Sequence, residues 1–585
     1  MTSQKEIFSD IKEKFEKAYH LVDDESKTDP PSDPFRSHYL AKTILEDLVH
    51  SLRETIKTND NFVFKVFLGF ACRDLGRIYV FTEEPFTGEK YLKECLEIVD
   101  PYKLKKEAII AYIGASNEMG IVECNRGNHK EALEHLKRSE DIYEQFQYLA
   151  DSPMSITDLF GPADEIEKDK GPKEMAKIYT LCTYYMAQVL GHLGELEKSA
   201  QYCNFTLRRQ MESDDYDPID WALNSATLSQ YYIGPNQFKE ARHHLAAATL
   251  IMTEFEGKML TDDMGADVKE AVKENFQHRF ADIARCWAKY GLALLNASRD
   301  RLMADDDFSK VSKDLKNSKI SKDYEFKSLK LTQYENKVTD KYCLTFEDAK
   351  LVFIFIAQWL EKAKQYYKAE TEASEYARII MDFADLYNCL AFFEEDPCNQ
   401  SKMYKKRADF YEELLRLLSK TYYLAICREC LFHCGTTYCS MLSIKLDAIS
   451  DLGYDQSPTP HQCHKVNSLC EKAIAHFKDF IDSYKKKDSD EFESGIHHEE
   501  MHTVLYCYFH LGRLFYKIIT GDKKKQLFNL NNSLKYYKLF IDLCEKYSEA
   551  AAHLRTEISV CKEMTNLLPK KIEKTLLEAQ EEGGI

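Results

Sequence analysis

Residues 184–203 read YYMAQVLGHLGELEKSAQYC. At 3.6 residues per turn this is a helix, a tight turn and a second helix. Met186 and Ala187 place a large and then a small residue on the first helix. Gly194 falls at the turn, and Ser199 and Cys203 sit at the matching positions of the second. Small residues facing each other let two helices approach closely. The same order recurs in NEMGIVECNRGNHKEALEHL (117–136), with Met119, Gly120, Gly127, Ala132 and Leu136. The two turn glycines are 67 residues apart (Gly194 minus Gly127).

That distance is close to two periods of a roughly 34-residue helical hairpin, the tetratricopeptide unit. TLSQYYIGPNQFKEARHHLAAA (227–248) places Leu228, Ser229, Tyr232, Phe238, Ala241 and Leu245 likewise. DLGRIYVFTEEPFTGEKYL (74–92) offers Leu75, Gly76, Tyr79, Gly88 and Leu92. HLGRLFYKI (510–518), followed by SLKYYKLFIDLC (533–544), reads as a unit with a lengthened turn. Strand alternation is nearly absent. The expected fold is therefore all-α: a tetratricopeptide-like, right-handed solenoid of antiparallel helix pairs, in two lobes joined by a long linker helix.

Composition agrees. The chain has 585 residues, 44% hydrophobic and 30% charged, too long for one small core. Fourteen prolines and 21 glycines are few for a β-rich chain, and 36 Tyr with 33 Phe suit helices stapled by aromatic rings. A net charge of −18 disfavours binding to nucleic acid or to an anionic membrane through the overall field. The longest apolar run, LVFIFIAQWL, is too short for a membrane span. MTSQKEIFSDIKEKFEKAYH has no apolar signal core, which points to a cytoplasmic protein whose 18 cysteines are mostly reduced and buried.

Along the chain, residues 1–265 are expected to form an N-terminal lobe of repeats and 266–300 a linker helix. A charged mobile loop is expected at 301–341, and a C-terminal lobe of degenerate repeats at 342–585. DSPMSITDLFGPADEIEKDKGP (151–172), the acidic ESDDYDPID (212–220) and DLGYDQSPTPHQ (451–462) read as insertions or turns.

Three motifs tempt a chemical reading. HEEMH (498–502) matches the zinc-protease pattern, with His498 and His502 four apart on one helix face and Glu499 as base. Its continuation supplies Leu505 and Tyr508 where further ligand-motif residues are needed, and the next acid is Asp522, so the pattern reads as a solvated helix. In CRECLFHC the residues Cys427, Cys430, His433 and Cys434 lie inside an apolar helix and read as packing. His243 and His244 read as surface residues. No P-loop, dinucleotide fingerprint or nucleophile elbow is present. The chain reads as a non-enzyme without cofactor, metal or small-molecule substrate. What remains is a binding face. In such arrays the first helix of each hairpin lines the inner surface. Here those helices carry Tyr184, Tyr185 and Gln188, then Thr227 and Gln230.

The block 184–233, YYMAQVLGHLGELEKSAQYCNFTLRRQMESDDYDPIDWALNSATLSQYYI, closely resembles the central signature of the KIF-binding protein family. DIARCWAKYGL, LAFFEEDPCNQSKMYKKR, GRLFYKIITGDKKKQLFNLNNSLKYYKLFIDLCEKYSEAA and CKEMTNLLPKKIEK resemble later blocks in the same order. The resemblance implies a non-enzymatic two-lobed solenoid whose concave face grips the motor domain of a subset of kinesins. It implies that the motors are kept from microtubules and that axonal transport and microtubule organisation are thereby regulated. It further implies a cytoplasmic, cytoskeleton-associated location, near mitochondria through motor cargo. Carried over by position, it points to Tyr185, Gln188, Gln210, Thr227 and Gln230 as groove residues. The alternatives are a generic repeat scaffold of the co-chaperone type, which needs a basic carboxylate clamp not seen among these Tyr, Gln and Thr residues, and, least favoured, a zinc peptidase.

Overall fold

The computed structural model describes residues 4–30, 32–161, 169–260, 265–304, 324–451, 457–486 and 489–581. Among these the regular secondary structure is helical, and the one β feature is an isolated bridge between Lys485 and Phe492. No helix among them is long and apolar enough to cross a membrane.

The chain forms two compact units, one of Met1–Tyr231 with Ser321–Lys327, the other of Tyr232–Ile320 with Ser328–Ile585. The first holds α1 (Gln4–Asp23), α2 (Arg36–Thr58), α3 (Phe62–Phe81), α4 (Pro85–Val99), α5 (Ile109–Asn125), α6 (His129–Tyr148), α7 (Lys170–His192), α8 (Leu196–Ser213) and most of α9 (Pro218–Ile233). Successive helices pack as hairpins, and α3, α5 and α7 also touch one another directly, as first helices of stacked repeats do.

The repeat register is visible in the backbone. Gly127 and Gly194 take left-handed φ of +82° and +79°. Asn236 (+59°) and Glu83 (+65°) take the same conformation in the other two repeats. Five residues after each comes the small residue of the second helix: Ala132, Ser199, Ala241 and Gly88. Ser199 donates its hydroxyl to the Ala187 carbonyl at 2.7 Å, and a Cβ on Gly88 would meet the Gly76 carbonyl at 2.7 Å. Both contacts are backbone-close, which explains the demand for small side chains.

The second unit holds α10 (Phe238–Glu256), α11 (Ala266–Ala304), the single turn α12 (Thr332–Glu335), α13 (Phe346–Tyr366), α14 (Ala373–Phe393), α15 (Pro397–Leu417), α16 (Leu424–Ser450), α17 (Pro460–Asp482), α18 (His498–Lys517), α19 (Lys523–Lys546) and α20 (Arg555–Glu581). Local signals start several of these. Thr345 with Asp348, and Thr459 with Gln462, form capping boxes, and Asp396 caps α15 ahead of Pro397.

The division falls at Tyr231/Tyr232, where the sequence reading placed it at 265. The reason is packing. Phe238 of α10 meets the Tyr290 ring of α11 at 5.9 Å, and Trp287 Nε1 of α11 donates to Thr249 Oγ1 of α10 at 2.9 Å. The 39-residue α11 also packs along α13 and α14, so it is a core helix of the second unit.

Two other expectations change. His243 and His244 are buried, because α10 packs against both α11 and α12. His243 Nδ1 lies 2.8 Å from Glu335 Oε1, and burial pushes the His244 pKa down to about 3. Of the charge-rich segment 301–341 the part 305–323 lies outside the described residues, but the rest is anchored. Phe326, Leu331 and Val338 are buried, and Tyr290 donates its hydroxyl to the Thr339 carbonyl at 2.7 Å. Residues 162–168 and 452–456 of the two expected insertions also lie outside the described set.

The core of the second unit has a measurable consequence. His510 is buried with Nε2 unpartnered, its ring stacked on Phe477 and edge-on to Tyr506. Burial, and then Arg513, push its pKa down to about 4. The unfolded imidazole protonates near ~6.5. Between those values the unfolded state binds a proton that the folded state refuses, so stability falls as pH falls, by up to about 1.4 kcal/mol per pH unit. Urea unfolding at pH 7 and pH 5 is expected to show this loss. His510→Phe should lose less than the parent over the same interval, and an identical pH dependence in the two proteins would refute the assignment.

Candidate functional site

The groove of interest lies in the first unit, between α7, α8 and the start of α9. On α7, Tyr184, Gln188 and Gly191 follow at i, i+4 and i+7, and on α8 Cys203, Leu207 and Gln210 do the same. Together with Asn224 of α9 they enclose a cavity of about 330 Å³. A second cavity of about 510 Å³ adjoins it and shares Tyr184, Gln210 and Asn224. The second opens among Asp215, Asp217 and Asp220. The groove is thus apolar at one end and acidic at the other.

Its walls are held from behind. Trp221 is buried and its indole Nε1 donates to the Leu207 carbonyl at 3.0 Å, tying α9 to α8. Phe326 meets the Trp221 ring at 5.2 Å. Thr206 donates to Thr183 Oγ1 at 2.8 Å, joining α8 to α7. Asp217 Oδ1 accepts from the Asp220 amide at 2.9 Å and caps the start of α9, while Asp215 pairs with Lys177 at 3.1 Å.

α7 itself is fixed by a buried ionic cluster. Arg73 on α3 donates to Asp74 Oδ1 at 2.8 Å and to Glu174 Oε1 of α7 at 3.2 Å, and Tyr19 of α1 donates to Asp74 Oδ2 at 2.8 Å. Burial opposes the Arg73 charge, but Asp74 and Glu174 overcome it and keep the guanidinium protonated. Burial, then Asp74, pushes the Tyr19 phenol well up.

Of the six residues read from the sequence, Tyr184, Gln188 and Gln210 line these cavities. Tyr185 is half-buried against the cluster of Leu136, Met186 and Val189, with its ring edge-on to Tyr184 at 5.3 Å, and burial raises its phenol pKa. Thr227 is exposed one turn beyond Asn224, and half-buried Gln230 donates Nε2 to Ser229 Oγ at 2.9 Å. Asn224 and Leu207 were not singled out in the sequence, and Cys203 was read there only as a residue of the hairpin register. The acidic turn 212–220 was legible, but its place at the groove mouth depends on how α8 and α9 fold together.

The groove's chemistry is that of recognition. Burial pushes the Cys203 thiol up to about 11, far from a reactive thiolate. The Ser199 and Thr206 hydroxyls are spent on helix–helix bonds. Elsewhere, the potential metal ligands that come together near HEEMH are His497, His498 and Glu499, all exposed at the start of α18. His502 is not among them, and its Nδ1 lies 2.9 Å from the Ala550 carbonyl, to which it donates. The positive end of a helix dipole also disfavours a cation there. Cys427, Cys430 and Cys434 are buried in α16, and burial raises all three thiols.

Comparison with known proteins places this architecture. The family model described as KIF-1 binding protein C terminal matches residues 219–575. A KIF-binding protein of Drosophila melanogaster is 47% identical over 98% of both chains, and one of Homo sapiens is 31% identical over 97% of this chain and 98% of its own. A solved structure titled "Kinesin binding protein (KBP)" superposes with a TM-score of 0.66 at 28% identity, covering 97% of this chain and 99% of that one. Since the matched model covers more than half of the chain and the relatives match it along nearly its whole length, the α7–α9 groove included, the chain belongs to the KIF-binding protein family.

Proposed function

We propose that this chain binds the motor domain of a subset of kinesins through the face that carries Tyr184, Tyr185, Gln188, Gln210, Thr227 and Gln230, and sterically keeps those motors from microtubules. The observation that carries this reading is the α7–α9 groove, apolar within and ringed by aspartates at its mouth, in a chain whose full-length relatives are named for kinesin binding. A motor's microtubule-facing surface must be basic to bind acidic tubulin. An amphipathic basic helix from that surface matches an acidic mouth leading to an apolar slot. The net charge of −18 draws such a partner in, and desolvated contacts in the slot supply affinity. A motor helix seated in the groove cannot also touch the filament. The protein then acts without catalysis, in the cytoplasm, as a regulator of microtubule-based transport.

Gln188→Ala with Thr227→Ala is expected to weaken binding of purified kinesin motor domains by about 30-fold, since each removes a polar contact worth ~1 kcal/mol. Both side chains are exposed, so helicity and melting should stay unchanged. Equal motor affinity in the variant and the parent would remove this face from the binding site.

A further inference from the structure

The second unit carries a groove of different character. About 910 Å³ in volume, it runs between α13 and the loop 336–344. Leu351 and Ile354 stand out of α13 with 69% and 45% of their surface exposed, and Leu344 of the loop is 38% exposed. Phe355 and Trp359 form its floor. Leu351, Ile354, Gln358 and Lys362 follow at i, i+3, i+7 and i+11, a single stripe about 16 Å long.

The opposing loop is built rather than loose. Arg242 of α10 donates to the Val338 carbonyl at 2.9 Å and to Asp340 at 3.0 Å. The Cys343 amide donates to Ser298 Oγ of α11 at 2.9 Å, and Tyr290 holds the Thr339 carbonyl from below. The wall therefore keeps its place when nothing is bound.

Lys337, Lys341 and Lys362 line this stripe. Among the described residues no carboxylate lies within ion-pair distance of any of the three, whereas Arg242 beside them is paired. Lys362 is partly desolvated over the Trp359 ring, at 4.3 Å. Burial, and then Lys337, lower its pKa, and the more weakly acting Glu256 offsets part of this. On a chain of net charge −18 a cluster of unpaired cations around an exposed apolar stripe is an exception. It is opposite in sign to the α7–α9 groove.

We infer that this groove is a second docking site, for an acidic amphipathic helix of a partner protein, about three turns long, with apolar side chains on one face and carboxylates flanking them. Its apolar face would cover Leu351, Ile354 and Trp359 while its carboxylates meet Lys337, Lys341 and Lys362. An anionic lipid surface fits less well, because the cations line a cleft between α13 and the loop 336–344 and the net charge of the chain repels such a surface.

The test uses the full chain and a fluorescein-labelled peptide of about 15 residues, with Leu at helical spacing and Glu elsewhere. Anisotropy is expected to show saturable binding that weakens with salt. Leu351→Asp and Lys337→Glu should each weaken it about tenfold or more, with far-UV circular dichroism and kinesin motor binding unchanged. Failure of the peptide to bind, or equal binding by both variants, would overturn the proposal. So would flotation with phosphatidylserine vesicles that depends on Lys337 when the peptide is ignored.

Discussion

Reversing two charges at the mouth of the α7–α9 groove, Asp215→Lys with Asp220→Lys, is expected to slow association with a kinesin motor domain by roughly 10- to 100-fold at low salt. Asp215 offsets Lys177 in the parent, so its replacement both removes an anion and frees a cation. Asp217 is left in place because it caps α9, which keeps the helix and Trp221 where they are. The loss should lie mainly in the association rate and shrink as salt rises, since it comes from long-range attraction. Stopped-flow mixing at two ionic strengths measures it. An unchanged association rate would mean that the motor approaches by another face.

Arg73→Leu is expected to cost about 3–5 kcal/mol of stability in the first unit. Arg73 and Asp74 are only 7% and 3% exposed, so removing the guanidinium leaves a buried carboxylate with the Tyr19 hydroxyl as its remaining partner among these bonds. Glu174 loses its anchor at the same time, and with it α7 loses its tie to α3. Motor affinity should fall along with the urea midpoint. A second substitution, Asp74→Leu on the Arg73→Leu background, should recover much of the stability, because no buried charge is then stranded. A loss under about 1 kcal/mol in the single variant would show that the cluster is solvated.

How much of this was legible in the sequence follows from what each feature depends on. The helical hairpins were readable because the close contact between paired helices is local: Gly76 with Gly88, and Ala187 with Ser199, are set by a short turn and a fixed spacing. Two turns were harder, since Glu83 and Asn236 occupy the left-handed position that Gly127 and Gly194 mark plainly. The reading divided the chain at 265 because it took the long unbroken pattern of α11 as a spacer, whereas the compact units divide at Tyr231/Tyr232. Its apolar face, Trp287 and Tyr290 included, packs on α10 and α13. His243 and His244 looked like surface residues because α10 is covered on two sides, one of them by α12, which lies some 90 residues further along the chain. In the groove, Tyr184 and Gln188 were visible from helical spacing on one element. Asn224 was not, and Cys203 was visible only as a hairpin residue, because their place at the cavity depends on three helices closing together.

The central claim is that binding removes motors from the filament. It is tested most directly by co-sedimenting a panel of kinesin motor domains with microtubules, held in the strongly bound state by a non-hydrolysable nucleotide, with and without this protein. A subset of motors is expected to move into the supernatant in a stoichiometric complex, and the Gln188→Ala/Thr227→Ala protein should release them less well. Motors that all remain on the filament, with none bound to the protein, would contradict the account.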